Sequence, residues 1–299
     1  MIQVFGTYYI MNKNGDLDKI NIEDEEQIIA SLQNNKPQSL IVKKKIKNNV
    51  YFTEDMFELY SEIKTYINDN IQKNINPINI ISPTLFKNNT KIEKLQKLFG
   101  LKLFLCPNDL ILRPATDFGI FMLLENSIHK NADLPKAYYE IGNCYRLENE
   151  FNNSLLRSFC FELPDIHIIA KNDAYGIVNR HMLLYKEILN NFKINYAIAL
   201  RITEKEFNLN LEAIKFIANS LREEIFINIV PNTIRYWETK FKFVRIDKNN
   251  EQVQLSTVQV DYQSSEIFNF TNEFKKNLIV IHSSPGSIQR MLYCLTEEG

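Results

Sequence analysis

The sequence predicts an α+β domain, an antiparallel sheet with helices grouped around it. Beyond Pro83, extended apolar runs and helical runs mix without the regular alternation of a parallel α/β fold. Extended runs lie close enough in sequence to pair as hairpins, as 137–147 with 158–170 and 241–247 with 252–262. The helical stretches are scattered between them, near 117–130, 172–191, 208–223 and 286–296, and no internal repeat is visible.

Taken in order, residues 1–50 read as a small N-terminal α/β appendage, and residues 51–299 as the main domain. An apolar run from Val4 to Met11, the turn Asn12-Lys13-Asn14-Gly15-Asp16 and a second run from Leu17 to Ile22 suggest a hairpin. Glu23 to Leu32 is helix-like, and Ser39 to Lys43 a short strand. Phe52-Thr53-Glu54-Asp55 resembles a capped start to a long amphipathic helix, in which Met56, Leu59, Tyr60, Ile63, Tyr66 and Ile67 recur at helical spacing. Further extended runs follow near 195–202 and 277–283.

Composition excludes several classes. Hydrophobic content of 45% with 24% charged residues is that of a soluble globular chain long enough for a large core. A formal net charge of −1 offers no global positive field for nucleic acid. The densest basic run, Lys43-Lys44-Lys45-Ile46-Lys47, reads as a solvated strand end. Cys106, Cys144, Cys160 and Cys294 show no CxxC spacing, which fits a reducing cytoplasm better than a disulfide framework. The start Met-Ile-Gln-Val-Phe-Gly lacks the basic and apolar regions of a signal peptide, and no apolar stretch is long enough to span a membrane.

Two stretches carry chemistry. In Tyr139-Glu140-Ile141-Gly142-Asn143-Cys144-Tyr145-Arg146-Leu147-Glu148 a strand ends in an Arg, and a polar loop leads to a second strand opening with Arg157. Such a hairpin presents two guanidiniums and a carboxylate on one side; the fork of an Arg suits phosphate oxygens, and Glu148 suits an exocyclic amine or a cation. An isolated Arg-x-Glu is more often a solvent-facing ion pair. In Ile279-Val280-Ile281-His282-Ser283-Ser284-Pro285-Gly286-Ser287-Ile288-Gln289-Arg290 an apolar strand runs through a small-residue turn into a helix. Glycine lets backbone approach a ligand, and a helix N-terminus favours phosphate.

In this order, the two stretches resemble the second and third signature motifs of class II aminoacyl-tRNA synthetases. Arg146 and Glu148 match the second motif, whose arginine binds the ATP α-phosphate, and Gly286 and Arg290 match the third, whose arginine binds the γ-phosphate. The helix from residue 53 followed by Asn79-Ile80-Ile81-Ser82-Pro83 is similar to the first, dimer-forming motif, which implies a homodimer. Arg157 to His167 and Gln254-Leu255-Ser256-Thr257-Val258-Gln259-Val260-Asp261-Tyr262 resemble the threonyl branch of the family. So does the segment from His282 through Glu298. The resemblance covers roughly residues 53–298 and implies the class II sheet flanked by helices. It also implies ATP and Mg²⁺ as reactants, with Arg157, Gln254 and Thr257 in the ATP site.

The threonyl branch binds a catalytic zinc through one Cys and two His. His167 and His282 fall on the histidine positions, and Asp117 stands where the cysteine is expected. Aspartate is a competent zinc ligand, so Asp117, His167 and His282 form a candidate three-ligand site. The rival reading comes from the seryl and prolyl branches, where an acid at this place binds the substrate ammonium directly; both readings are open at this point. Of the other matching positions, Asp165 falls on an aspartate that orients the amino acid and Gln259 on a glutamine near the substrate hydroxyl. Tyr236 falls on a pocket tyrosine, Lys240 on the lysine that follows it, and Ser256 replaces a glycine.

The resemblance implies activation of threonine, or a related small or hydroxy amino acid, as its adenylate. The family continues past the third-motif helix into an anticodon-binding domain, whereas this sequence ends at Gly299. With no basic arm, that leads to the expectation of a stand-alone catalytic domain loading a non-tRNA acceptor such as a carrier-protein thiol. The alternatives are the core of a threonyl enzyme charging tRNA and a non-catalytic paralogue sensing an amino acid.

Overall fold

The structure, a computed structural model, describes residues 6–21, 25–33, 54–100, 103–147, 155–232 and 235–296. The expected strand at 39–43, the start of the first helix at Phe52-Thr53, and the beginning of the N-terminal run lie outside them.

The chain opens with β1 (Thr7–Met11) and β2 (Leu17–Ile20), joined by the expected turn. Asn12 Oδ1 accepts the N–H groups of Asn14 and Asp16, and Gly15 takes a φ of 88° that other residues adopt at a cost. Next come α1 (Glu25–Leu32), α2 (Glu54–Ile75) and the short β3 (Ile78–Asn79). On α2, Met56, Leu59, Ile63, Ile67 and Ile71 form the buried stripe that the sequence spacing predicts. A small sheet of β4 (Leu85–Lys87), β5 (Leu105–Cys106) and β6 (Leu110–Leu112) brackets α3 (Thr90–Phe99). Then follow α4 (Asp117–Leu124), β7 (Ile128–His129), β8 (Lys136–Tyr145), β9 (Cys160–Ala170) and α5 (Ala174–Asn191). The second half runs β10 (Ala197–Thr203), α6 (Glu204–Leu221), β11 (Ile225–Val230), β12 (Trp237–Ile246) and β13 (Gln252–Asp261). It closes with α7 (Ser264–Ile267), β14 (Thr271–Asn272), β15 (Ile279–Ser284) and α8 (Ile288–Leu295).

Among the described residues, ten strands form one sheet in the order β2-β1-β11-β10-β12-β13-β15-β9-β8-β3. Its pairings are antiparallel except β10 with β11 and β3 with β8, so the α+β expectation holds. β1 pairs along its length with β11, which makes the N-terminal hairpin an outer rib of this sheet. Neither β11 nor α3 was anticipated: β11 is six residues of unbroken apolar sequence apart from Asn228, a pattern without helical or strand period. Helix α4 stops six residues short of the expected end, where Asn126 takes a left-handed φ of 58°. Helix α6 begins four residues earlier than expected, because Thr203 caps it by accepting the Glu206 N–H.

The sheet has two unlike faces. One packs on α2, α5, α6 and α8 through a continuous apolar core that includes Ile166, Ile168, Val258, Val260 and Ile281. The other is covered by α1 over β10 and β12, and by α3 and α4 over β8, β9 and β15, leaving a cleft between. Among the described residues no helix is long and apolar enough to cross a membrane.

A buried ion pair ties the segment after β6 to β8. Arg113 donates to both oxygens of Glu140 at 3.0 and 3.2 Å, to Ser82 Oγ and to the Asn143 carbonyl. Gly142 leaves room for it, since a Cβ there would lie 2.2 Å from an Arg113 nitrogen. Removing one partner leaves a buried charge uncompensated, which costs about 3–5 kcal/mol. We therefore predict that Glu140→Ala lowers stability on that scale in urea unfolding, and that Arg113→Met on top of it recovers a substantial part.

Candidate active site

Strand period brings the expected residues together. Along β9, Phe161, Leu163, Asp165 and His167 face the cleft side while Ile166 and Ile168 face the core. His282 on β15 lies directly opposite His167 on one side and Gln259 of β13 on the other. Thr257, Gln259 and Asp261 alternate in the same sense along β13. The cleft encloses about 350 Å³, with Asp117, Asp165 and His282 at its floor and a group of cations toward its mouth.

The floor is a buried cluster of charge. Asp117, in the first turn of α4, sets Oδ1 2.5 Å from His282 Nδ1 and 3.3 Å from His167 Nε2. His282 Nε2 lies 2.8 Å from Asp261 Oδ2, a carboxylate with no solvent exposure. The His282 ring thus has a carboxylate at each nitrogen, Asp261 at Nε2 and Asp117 at Nδ1. Burial works against a charged imidazole, but Asp117 and Asp261 override it and lift His282 to about 10. Burial likewise works against the Asp117 carboxylate, and His282 and His167 override it, holding the group well below the usual carboxylate range. Asp165 is pushed up to about 6, mainly by burial, although Thr116 Oγ donates to it at 2.5 Å.

The three expected metal ligands therefore do converge. Asp117, His167 and His282 offer ligand atoms within 4.8 Å of one another, all buried. His167 Nε2 and His282 Nδ1 have no hydrogen-bond partner of acceptable geometry, which is the condition expected of metal-directed nitrogens. With Asp261 as outer partner of His282, the donor set fits a tetrahedral ion with one open position.

The mouth is cationic. Arg146, Arg157, Arg201, Arg235, Lys240 and Arg290 line it. Arg146 is held by the Pro114 carbonyl, 3.0 Å from Nε, and lies 5.0 Å above the Phe161 ring. Arg290 donates to the Leu156 and Gln254 carbonyls at 3.3 and 3.2 Å, which draws Gln254 into the wall. Lys240 and Arg201 are direct cross-strand partners, a like-charge pairing that disfavours the sheet unless an anion sits against it. Burial, with Lys242, Arg146, Arg290 and Arg235 behind it, pushes Lys240 down to about 7.

Of the remaining expected residues, Tyr236 donates to Gln259 Oε1 at 3.2 Å and stacks on Phe99 with ring centroids 4.3 Å apart. Ser256 does not line the cleft; its hydroxyl donates to the Pro285 carbonyl at 2.9 Å and braces the turn from behind. Glu148 lies outside the described residues. Arg201, Arg235, Phe99 and Phe161 line the cleft and escaped the sequence reading. For Arg201 a signal existed, since it is the single charge in the apolar run of β10. Arg235 and Phe99 carried none, being brought in by a loop and by α3.

The chain belongs to the class II core domain family of tRNA synthetases, the group for G, H, P, S and T, whose model matches residues 104–299. It is 28% identical over 200 residues to the threonine–tRNA ligase of Methanosphaera stadtmanae, covering 64% of this chain and 33% of that protein. To the threonine–tRNA ligase of Thermococcus sibiricus it is 30% identical over 199 residues, 62% of this chain and 32% of that one. The chain thus spans about a third of the length of these relatives. In fold it is similar to the RNA binding domain of threonyl-tRNA synthetase from Cryptosporidium parvum, with a TM-score of 0.67 and 20% identity, covering 80% of this chain and 64% of that one. The cytoplasmic serine–tRNA ligase of Naegleria fowleri in complex with AMP gives 0.64 at 13% identity, covering 82% and 55%.

Gly286 offers a test of the turn at the cleft. Its φ is 98°, and a Cβ there would lie 2.5 Å from the Leu255 carbonyl oxygen, which is backbone and has no room to yield. We predict that Gly286→Ala lowers the thermal midpoint, with a cost of about 1–3 kcal/mol for the strained conformation alone.

Proposed function

We propose that this chain performs the chemistry of a threonyl-type tRNA ligase core: activation of threonine, or a related hydroxy amino acid, with ATP, followed by transfer to tRNA. The observation that carries the reading is the joining of a buried Asp117, His167 and His282 floor to a mouth lined by Arg146 and Arg290. The floor suits a small amino acid with a polar side chain, and the mouth suits a triphosphate.

In the first step the amino acid carboxylate attacks the α-phosphorus, a C–O–P linkage forms, the bond to the β-phosphate breaks, and pyrophosphate leaves. No side chain need act as nucleophile. Arg146, seated on Pro114 and Phe161, neutralises charge building on the α-phosphate beside Mg²⁺, and Arg290 holds the γ-phosphate. Asp165 orients the ammonium, Gln259 and Tyr236 border the side chain, and Arg157, Gln254, Thr257 and Glu148 complete the nucleotide site. In the second step a ribose hydroxyl of the acceptor attacks the acyl carbon and AMP leaves.

Asp117, His167 and His282 would hold a zinc ion. Bound there, the ion supplies a Lewis-acid grip on the amino and hydroxyl groups of the substrate together. The convergence of the buried Asp117 carboxylate with two imidazole nitrogens on one point favours this over Asp117 binding the ammonium alone. The carrier-protein acceptor expected from the sequence finds no support in the relatives above, which are named as tRNA ligases. A homodimer through α2 and β3 belongs to the same reading, supported by the exposure of Ile78 and Ile81 beside that edge strand.

The test is ATP–pyrophosphate exchange across the amino acids, followed by charging of tRNA. Exchange with threonine or serine is expected; none with any amino acid would sink the reading. Arg146→Ala is expected to lower exchange by at least about two orders of magnitude, the scale of losing one transition-state donor. Asp117→Ala is expected to reduce the metal retained after dialysis, read by elemental analysis, from about one ion per chain to a small fraction.

A further inference from the structure

Glu162 lies where three parts of the molecule meet, on the opposite side of β9 from the cleft. Its carboxylate accepts from the Tyr60 hydroxyl and, at 3.1 and 3.0 Å, from Lys64 Nζ, both on α2. Its own N–H donates to Gln289 Oε1 at 3.0 Å, in the first turn of α8. That last bond has a structural reason. β9 pairs with β15 only over Ile166–Ala170, so the earlier part of β9 has an open edge, and Gln289 fills it.

The chain neighbours of these contacts are the phosphate arginines. Phe161, next to Glu162, supports the Arg146 guanidinium, and Gln289 precedes Arg290. The stability argument for such a junction is weak. Lys64 and Glu162 are 38% and 21% exposed, and a pair of that exposure contributes at most about 1 kcal/mol. Its placement is more telling than its strength: α2 and α8 meet β9 at one residue, beside both arginines.

We propose that Glu162 is a positioning residue for the triphosphate of the nucleotide: its carboxylate ties β9 to α2 through Tyr60 and Lys64, at the point where its backbone N–H holds α8 through Gln289, and so steadies the spacing between Arg146 and Arg290. This rests on the ATP-activating reading above. The contacts of Glu162 reach the triphosphate end only: Asp117 and His282 stand on α4 and β15, and His167 lies further along β9, in the part that β15 holds by pairing.

The experiment is calorimetric titration of the full chain with MgATP and, separately, with threonine, alongside retained metal and the unfolding midpoint. Glu162→Ala is expected to weaken MgATP binding about 5- to 20-fold, the range of coupling through a packed network, with threonine affinity and metal content unchanged. Glu162→Gln, which keeps the size and the Tyr60 bond but loses the charge, is expected to show a smaller loss of the same kind. Lys64→Met added to Glu162→Ala should cost nothing further, because the two act as one unit. MgATP affinity within twofold of the parent in both Glu162 variants would overturn the proposal, as would equal losses for ATP and threonine. A parent chain that binds no MgATP at all would overturn the activation reading instead.

Discussion

In the central strands of this sheet, successive side chains must point to opposite faces, and the whole site follows from that constraint. His167 on β9 and His282 on β15 are in register, so two imidazoles arrive side by side on the cleft face with ring centroids 5.2 Å apart. Gln259 and Asp261 reach the same face from β13, and Glu140 from β8. The residues between them, Ile166, Val258, Val260 and Ile281, enter the core under α2, α5 and α8. A register slip of one residue in any of these strands would send apolar side chains into the cleft and carboxylates into the core.

Burying so much charge is tolerable because each group has a counterpart. Asp117 answers His167 and His282, Asp261 answers His282, and Arg113 answers Glu140. The back of β15 is held in the same manner: Ser283 Oγ lies 2.6 Å from His181 Nδ1 and 2.5 Å from the Tyr185 hydroxyl, both on α5. β15 is thus held from both faces of the sheet. At the mouth the balance is broken, with six cations lining the cleft and a cross-strand pair of like charge in Arg201 and Lys240. The cleft thus joins a floor of paired acids and imidazoles to a set of cations whose excess positive charge attracts anions.

The sequence made the main helices and long strands legible, because their apolar residues recur at periods that packing against one large core demands. Arg146, Gly286, Arg290, Asp117, His167 and His282 were legible as motif positions. Less visible were the residues that seat them. Pro114 holds Arg146 by a carbonyl, which no side-chain pattern encodes, and Phe99 reaches Tyr236 from a helix more than a hundred residues away in sequence. Ser256 was readable as a position and misleading as a direction, since its hydroxyl turns to Pro285 behind the wall.

The sequence by itself determined the family, the places in the chain of the stretches that match its motifs, and the substitution of Asp117 at a position where a thiolate was expected. These are properties of residue identity and local period, and they survive without knowing where any atom sits. The tertiary structure decided which of those residues share space: that Asp117 falls between two histidines, that Lys240 faces Arg201, and that Glu162 joins two helices close in the chain to Phe161 and Arg290. Such proximities depend on strand register and helix docking, which are set by the packing of the whole core and not by any segment of the chain.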